Sequence, residues 1–127
     1  MWKSNVTFLI NNFFKNEQIY LEKRLTIGKV SSNIGVSKNK IQQSIHHNTN
    51  LNFNDFVNTY RIQDAIERIK KGDLRSMDLK SIATLAGFNS HQTFFRAFKK
   101  VKGCTPKAYR KQLDSITENT QFYKSVK

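Results

Sequence analysis

The sequence predicts an all-α fold in which two helix-turn-helix subdomains are joined by a long central linker helix. The 127 residues include only five glycines and one proline, and the stretches between them are rich in residues that favour helices. No segment of useful length alternates apolar and polar residues as a strand would. A weak internal repeat relates the second basic half of the chain to the first, which indicates that one small unit occurs twice.

The repeat aligns the second half of the chain with the first. Gly35 matches Gly87 at a shift of 52 residues, and after one extra residue Ile41 matches Phe94 at a shift of 53. Each copy predicts a helix, a turn and two further helices, the layout of a homeodomain-like unit. A chain of this length has room for two such units only if they share a core.

Each predicted turn has a physical cause. Thr26 and Asp78 are good N-caps, because their side-chain oxygens can accept from free N–H groups of the first helical turn. Gly35 and Gly87 follow short amphipathic segments and can adopt the left-handed conformation, which lets a second helix leave at a steep angle. A small residue four positions before each glycine lets the two helices approach closely.

A long amphipathic segment lies between the two copies. Apolar residues recur there at spacings of three and four, with Asn52 as N-cap and Gly72 as the stop. The segment predicts one helix of about five turns, long enough to fix the distance between the units. At the amino end, five apolar residues at roughly helical spacing predict an added helix over residues 1–16 that packs on the first unit. They are Trp2, Phe8, Leu9, Phe13 and Phe14.

After the second copy, Thr105 and Pro106 are typical of an N-cap and a first helical residue, so a further helix is predicted to about Leu113. The polar residues beyond it show no strong pattern. The prediction divides the chain into a helical extension, a first helix-turn-helix unit, the linker helix, a second unit and a polar tail. Their bounds are 1–19, 20–51, 52–72, 73–113 and 114–127.

The formal net charge of +13 is concentrated in two blocks. Residues 23–54 contain five basic residues and no Asp or Glu. Residues 79–113 contain eight basic residues and again no Asp or Glu. The stretch between the blocks is balanced, as are the two ends. Two acid-free blocks favour two binding patches for a polyanion over an ordinary basic surface.

The second copy resembles the carboxyl-terminal signature of one family almost position by position. The segment SIATLAGFNSHQTFFRAFKKVKGCTPKAYR, residues 81–110, is similar to the DNA-binding domain of the AraC/XylS family of bacterial transcription regulators. The segments LTIGKVSSNIGVSKNKIQQSI and NFNDFVNTYRIQDAIERI fit the first half of that domain. The resemblance covers about residues 20–113 and implies seven helices that set two recognition helices into major grooves of double-stranded DNA.

The resemblance also implies which side chains face the bases. Ser31 departs from the family pattern by replacing the usual alanine, and Phe95 is bulkier and more apolar than the small polar residue that many relatives carry. Carried over by position, the base-facing residues are Asn39, Gln42 and Gln43 in the first recognition helix and His91, Gln92, Phe95 and Arg96 in the second.

The chemistry of these residues suits base recognition. Asn and Gln bond bidentately to adenine and Arg to guanine, while Phe95 could contact a thymine methyl group. On spacing alone, a solvated polar face would explain the amides equally well. Nearby lysines are predicted to contact phosphates and so position the protein without specifying sequence: Lys38, Lys40, Lys99, Lys100 and Lys102.

The sequence offers less support for an enzyme, a metal-binding protein or a nonspecific nucleic-acid-binding protein. No catalytic triad, P-loop or glycine-rich cofactor motif is present, so the sequence predicts no catalytic residues, no enzyme activity and no cofactor. Cys104 is interpreted as a partly buried filler, and His46 and His47 as surface residues without further metal ligands. A nonspecific nucleic-acid-binding or nucleoid-type protein is the alternative, and the amides on the recognition helices argue against it.

The remaining expectations concern the setting of the chain. A single thiol and the lack of a long apolar run predict a cytoplasmic protein without membrane contact. The resemblance adds RNA polymerase and a separate effector or sensor domain as candidate partners. It leaves open whether genes are activated or repressed, and whether the chain acts alone or within a longer regulator.

Overall fold

The computed structural model describes residues 2–71 and 78–115, with side chains from residue 5 onward, and no strand occurs within these ranges. A 3-10 turn spans Ile19–Leu21. The helices are α1 (Trp2–Lys15), α2 (Ile27–Ile34), α3 (Lys38–Thr49), α4 (Phe53–Lys70), α5 (Leu79–Leu85), α6 (His91–Lys102) and α7, helical over 106–115. The predicted all-α fold with two helix-turn-helix units and a central helix is confirmed.

The predicted N-caps begin their helices through the expected hydrogen bonds. The Thr26 hydroxyl accepts from the Lys29 N–H at 3.2 Å, and the Asp78 carboxylate accepts from the Ser81 N–H at 2.8 Å. Hydrogen bonds from Ser81, first of all from its backbone N–H, hold the pKa of the Asp78 carboxyl below its usual value, because they stabilise its charged form. Asn52 caps α4 in the same way, whereas Gly72, the predicted stop, lies outside the described residues.

Helix α4 belongs to two hydrophobic clusters. Its first half contributes Phe56 and Val57 to a cluster with the buried residues of α1, α2 and α3. Its second half contributes Ile62, Ala65, Ile66 and Ile69 to a cluster with α5 and α6, on which Cys104 also packs. Because burial of each large apolar side chain contributes about 1.5–3 kcal/mol, this shared helix makes the folding of the two units interdependent.

The packing of α1 corrects the prediction for its apolar face. Val6, Ile10 and Phe14 are at most 4% exposed and carry the contact with the first unit. Phe8 and Leu9, which were expected to pack there, are 70% and 37% exposed. The buried residues are four apart, whereas Phe8 lies about 200° from Val6 around the helix. Phe13 packs as predicted, and the side chain of Trp2 lies outside the described residues.

A buried arginine connects the two units. Arg61 of α4 is 8% exposed, and its guanidinium donates to the backbone carbonyls of Tyr20 (2.8 Å) and Glu22 (2.7 Å). The same group lies 5.8 Å from the centre of the Phe88 ring, in the turn of the second unit. Burial lowers the pKa of Arg61, but an arginine remains charged in proteins. The hydrogen bonds therefore satisfy a cation that has been removed from water.

Gly87 of the second unit lies against the same residues, and we call this contact between the units the Arg61 junction. Its φ of +98° lies in the left-handed region, and a Cβ built on it would meet the Tyr20 carbonyl oxygen at 2.6 Å. Gly35, at the matching turn of the first unit, has φ +69° and open space around the position of a Cβ. Both glycines permit the predicted turn, and only Gly87 also permits close approach of backbone from the other unit.

This difference predicts unequal effects of alanine at the two turns. Gly35→Ala should cost about 1–2 kcal/mol, because a side chain is strained at positive φ. Gly87→Ala should cost a further ~1–3 kcal/mol, because Tyr20 must also move. Urea unfolding of both variants measures the two losses. Equal losses would show that the backbone approach at Gly87 does not limit the packing of the units.

Candidate nucleic-acid interface

Helix α3 separates an apolar side from a polar side. Ile41, Ser44 and Ile45 are buried against the first unit. Successive residues of a helix are about 100° apart, so the opposite side carries four exposed residues that we call the α3 outer face: Asn39, Gln42, Gln43 and His46. The three amides that were predicted to face DNA thus share one surface.

Helix α6 repeats this arrangement. Phe94, Ala97 and Phe98 are buried, and the opposite side carries the α6 outer face: Gln92, Phe95, Arg96 and Lys99. Phe95 is 40% exposed although its neighbour Phe94 is fully buried, so Phe95 belongs to the surface. His91 is exposed at the border of this face and lines one shallow cleft with three of its residues, Gln92, Phe95 and Arg96.

The two helices begin and end at equivalent positions, which are 53 residues apart in the sequence. Ser37 and Ser90 cap them by accepting from the N–H three residues on. Asn50 and Gly103 end them in the left-handed conformation, with φ 59° and 75°. Buried and exposed positions coincide at the same shift. The outer faces therefore occupy equivalent positions in the two units.

The lysines predicted to contact phosphates are all exposed, but they lie in different surroundings. Lys99 lies on the α6 outer face itself. Lys100 donates to the Asp55 carboxylate at 2.9 Å, across the groove between α4 and α6. The Lys102 ammonium lies 5.7 Å from the centre of the Tyr109 ring. The others, Lys38 and Lys40, flank the α3 outer face at the start of that helix.

Packing behind each outer face fixes its position. Behind α3, the Thr7 hydroxyl of α1 lies 2.9 Å from the Ser44 hydroxyl and accepts from the Asn48 amide at 2.9 Å. Behind α6, the Phe98 ring meets the Tyr109 ring of α7 edge to face at 5.5 Å. These contacts tie α3 and α6 each to the core of its own unit.

Three residues that form or support this surface were not among the predicted site residues: His46, Asp55 and Arg61. His46 occupies the position equivalent to Lys99, and the repeat at a shift of 53 contained that signal. Asp55 pairs with Lys100, and Arg61 bonds to the segment before α2. The partners in these contacts are 39 to 45 positions apart in the sequence. Such long-range contacts leave no pattern in the sequence.

Two further properties concern the described ranges as a whole. Within residues 2–71 and 78–115, no helix combines the length and apolar character needed to cross a membrane. In the same part of the chain, no group of three His, Cys, Asp or Glu side chains could hold a metal ion.

Comparison with known proteins identifies relatives. Residues 30–112 match a family described as a helix-turn-helix domain. An uncharacterized HTH-type transcriptional regulator of Staphylococcus aureus is 31% identical over 106 residues, 82% of this chain and 14% of that protein. The uncharacterized HTH-type transcriptional regulator YtdP of Bacillus subtilis is 27% identical over 112 residues, 88% of this chain and 13% of that protein. The chain spans about one seventh of the length of these relatives.

Solved structures share the fold. The C-terminal domain of the two-component response regulator yesN from Fusobacterium nucleatum has a TM-score of 0.67 at 26% identity, covering 84% of this chain and 98% of that one. A DNA-binding transcriptional dual regulator from Escherichia coli K-12 has a TM-score of 0.65 at 18% identity, covering 89% and 92%. With two matched units, a shared central helix and these relatives, the chain belongs to the AraC-type helix-turn-helix family of transcription regulators.

Proposed function

We propose that this chain binds DNA sequence-specifically by inserting α3 and α6 into successive segments of the major groove. The observation that supports this most directly is that the two exposed outer faces occupy equivalent positions on α3 and α6, and that one central helix packs in both units. A major groove about 12 Å wide admits a helix of this kind. Because α4 is one continuous helix that packs in both units, the two helices would contact one face of the duplex.

In this proposal, the base contacts come from the outer faces. Asn39, Gln42 and Gln43 present amides that can both donate and accept, and Arg96 presents a pair of donors. His91 and Gln92 lie at the start of α6, where recognition helices of this kind contact base edges. Phe95 offers the apolar surface that a thymine methyl group requires.

Phosphate contacts would supply most of the affinity and little of the specificity. Lys99, Lys102, Lys38 and Lys40 are exposed beside or on the outer faces. Lys100 would have to exchange the Asp55 carboxylate for a phosphate. This exchange is inexpensive, because an exposed ion pair of this kind contributes only about 0–1 kcal/mol.

The wider setting follows from the same proposal. A regulator built on this domain would act on DNA in the cytoplasm, by binding rather than by catalysis. Its relatives have most of their length outside the matched segment. Control by an effector or sensor domain, and contact with RNA polymerase, are therefore proposed for the whole regulator and not for the described residues.

Selection of bound sites from a random DNA pool, followed by footprinting, tests the proposed geometry. We expect two short boxes whose centres lie about one helical turn apart, roughly 10 base pairs or 34 Å. Protection should fall on one face of the duplex. A single short box without protection one turn away would contradict insertion of both helices. Equal binding to all sequences would indicate the nonspecific alternative.

Arg96→Ala should reduce affinity for the selected site by about 1–3 kcal/mol and relax the preference at one base pair. Its melting temperature should not change, because the side chain is exposed. Phe98→Ala is the contrasting variant, because it empties a fully buried position and should cost about 3–5 kcal/mol of stability. An Arg96→Ala protein with full affinity and unchanged preference would remove Arg96 from the base contacts.

Lys99→Ala should weaken binding to all sequences about equally and lower the slope of log affinity against log salt by about 1. Titrations at several salt concentrations on cognate and scrambled DNA measure both effects. Lys15→Ala is a matched control, since it removes an exposed lysine of α1 outside the two acid-free blocks. A changed base preference in Lys99→Ala would show that Lys99 also specifies sequence.

A further inference from the structure

We propose that the two units recognise chemically different half-sites, an adenine-containing box bound by the neutral amides of α3 and a guanine-containing box bound by the cationic face of α6. The inference rests on the proposed function and specifies the DNA that each unit takes. A consequence is that exchanging the two outer faces should change the salt dependence of binding, because only the α6 outer face carries cations.

The equivalence of the two helices makes the comparison direct. Both begin at a serine cap and end in the left-handed conformation, and their buried positions coincide at a shift of 53 residues. A difference in recognition must therefore come from the exposed side chains. No position of the outer faces carries the same residue in both: Asn39 matches Gln92, Gln42 matches Phe95, Gln43 matches Arg96 and His46 matches Lys99.

The α3 outer face has the chemistry for adenine. Three of its four residues are amides, each with an oxygen acceptor and an NH₂ donor. Adenine presents the complementary acceptor N7 and donor N6 in the major groove, whereas guanine presents two acceptors. Asn39, Gln42 and Gln43 are all exposed. Three adjacent amides favour a box with more than one adenine.

The α6 outer face has the chemistry for guanine beside thymine. Arg96 offers two parallel donors, which match N7 and O6 of guanine. Phe95, one residue before it, is 40% exposed and can contact a thymine methyl group but can form no hydrogen bond to a base. Gln92 keeps one amide at the start of the face, so a single adenine is also expected in this box.

Charge separates the two faces as well. The α6 outer face contains Arg96 and Lys99, while the α3 outer face contains no lysine or arginine. The lysines of α3, Lys38 and Lys40, lie about 100° to either side of Asn39. Since each cation that neutralises a phosphate releases a counterion, Lys99 should make the α6 outer face contribute to the salt dependence of binding, whereas the α3 outer face should not.

Exchange of the outer faces tests the inference. One variant carries the α3 residues on α6: Gln92→Asn, Phe95→Gln, Arg96→Gln and Lys99→His. The other carries the α6 residues on α3: Asn39→Gln, Gln42→Phe, Gln43→Arg and His46→Lys. All eight positions are exposed, so neither variant changes the core, and thermal melts check that each folds.

For the wild-type protein, selection from random DNA should return one adenine-rich box and one box with guanine. The first variant should convert the guanine box into a copy of the adenine box and lower the salt slope by about 1, because it removes the phosphate contact of Lys99. The second should convert the adenine box into a copy of the guanine box and raise the slope by about 1, because it adds a lysine at position 46. Either variant alone decides the question if the other fails to fold.

The outcomes separate this inference from the proposed function. Two boxes with the same bases in the wild type, or a box that stays unchanged after its face is exchanged, would overturn the inference and leave two-helix recognition intact. A single box, or no preference at all, would overturn the proposed function itself.

Discussion

The buried guanidinium of Arg61 is the interaction on which the arrangement of the two units depends. It lies in the central helix and donates to two backbone carbonyls of the segment before α2, while its other side meets the Phe88 ring after α5. Each hydrogen bond to such a charged group is worth about 1.5–3 kcal/mol, and an unpaired guanidinium at this depth would be costly. Any movement of one unit against the other would leave the buried guanidinium without its hydrogen-bond partners. The cost of that loss stabilises the observed arrangement.

The side chains around Arg61 extend this constraint. The Tyr20 hydroxyl donates to Asp64 at 2.7 Å, and Asp64 also pairs with Arg68. Burial, followed by the hydrogen bond to Asp64, raises the pKa of Tyr20 above its ordinary value, so the ring stays neutral. The absence of a side chain at Gly87 lets this assembly approach the second unit. Because hydrogen bonds are directional, these contacts define the relative orientation of the two units more sharply than a purely apolar contact would.

The repeat shows how one framework can carry two surfaces. Capping residues, left-handed ends and buried positions recur at a shift of 53 residues, because each is needed for a helix to begin, end and pack. The four outer-face positions are free of that requirement and carry different residues in the two units. The residues that hold each helix in place are therefore different from those of its outer face, and a change at an exposed position such as Gln42 leaves the buried contacts intact.

The sequence by itself determined the features that depend on neighbouring residues. Thr26, Asp78 and Asn52 cap their helices as predicted, and the internal repeat aligned Ile41 with Phe94, both of which are fully buried. These features are local, since caps act within three residues and periodicity within a few turns. Periodicity alone misjudged α1, where the partner helices decide which of several apolar residues is buried. Only the tertiary structure decided the Arg61 junction, the approach at Gly87 and the pairing of Lys100 with Asp55, because these contacts join residues about 26 to 67 positions apart and depend on how whole helices pack.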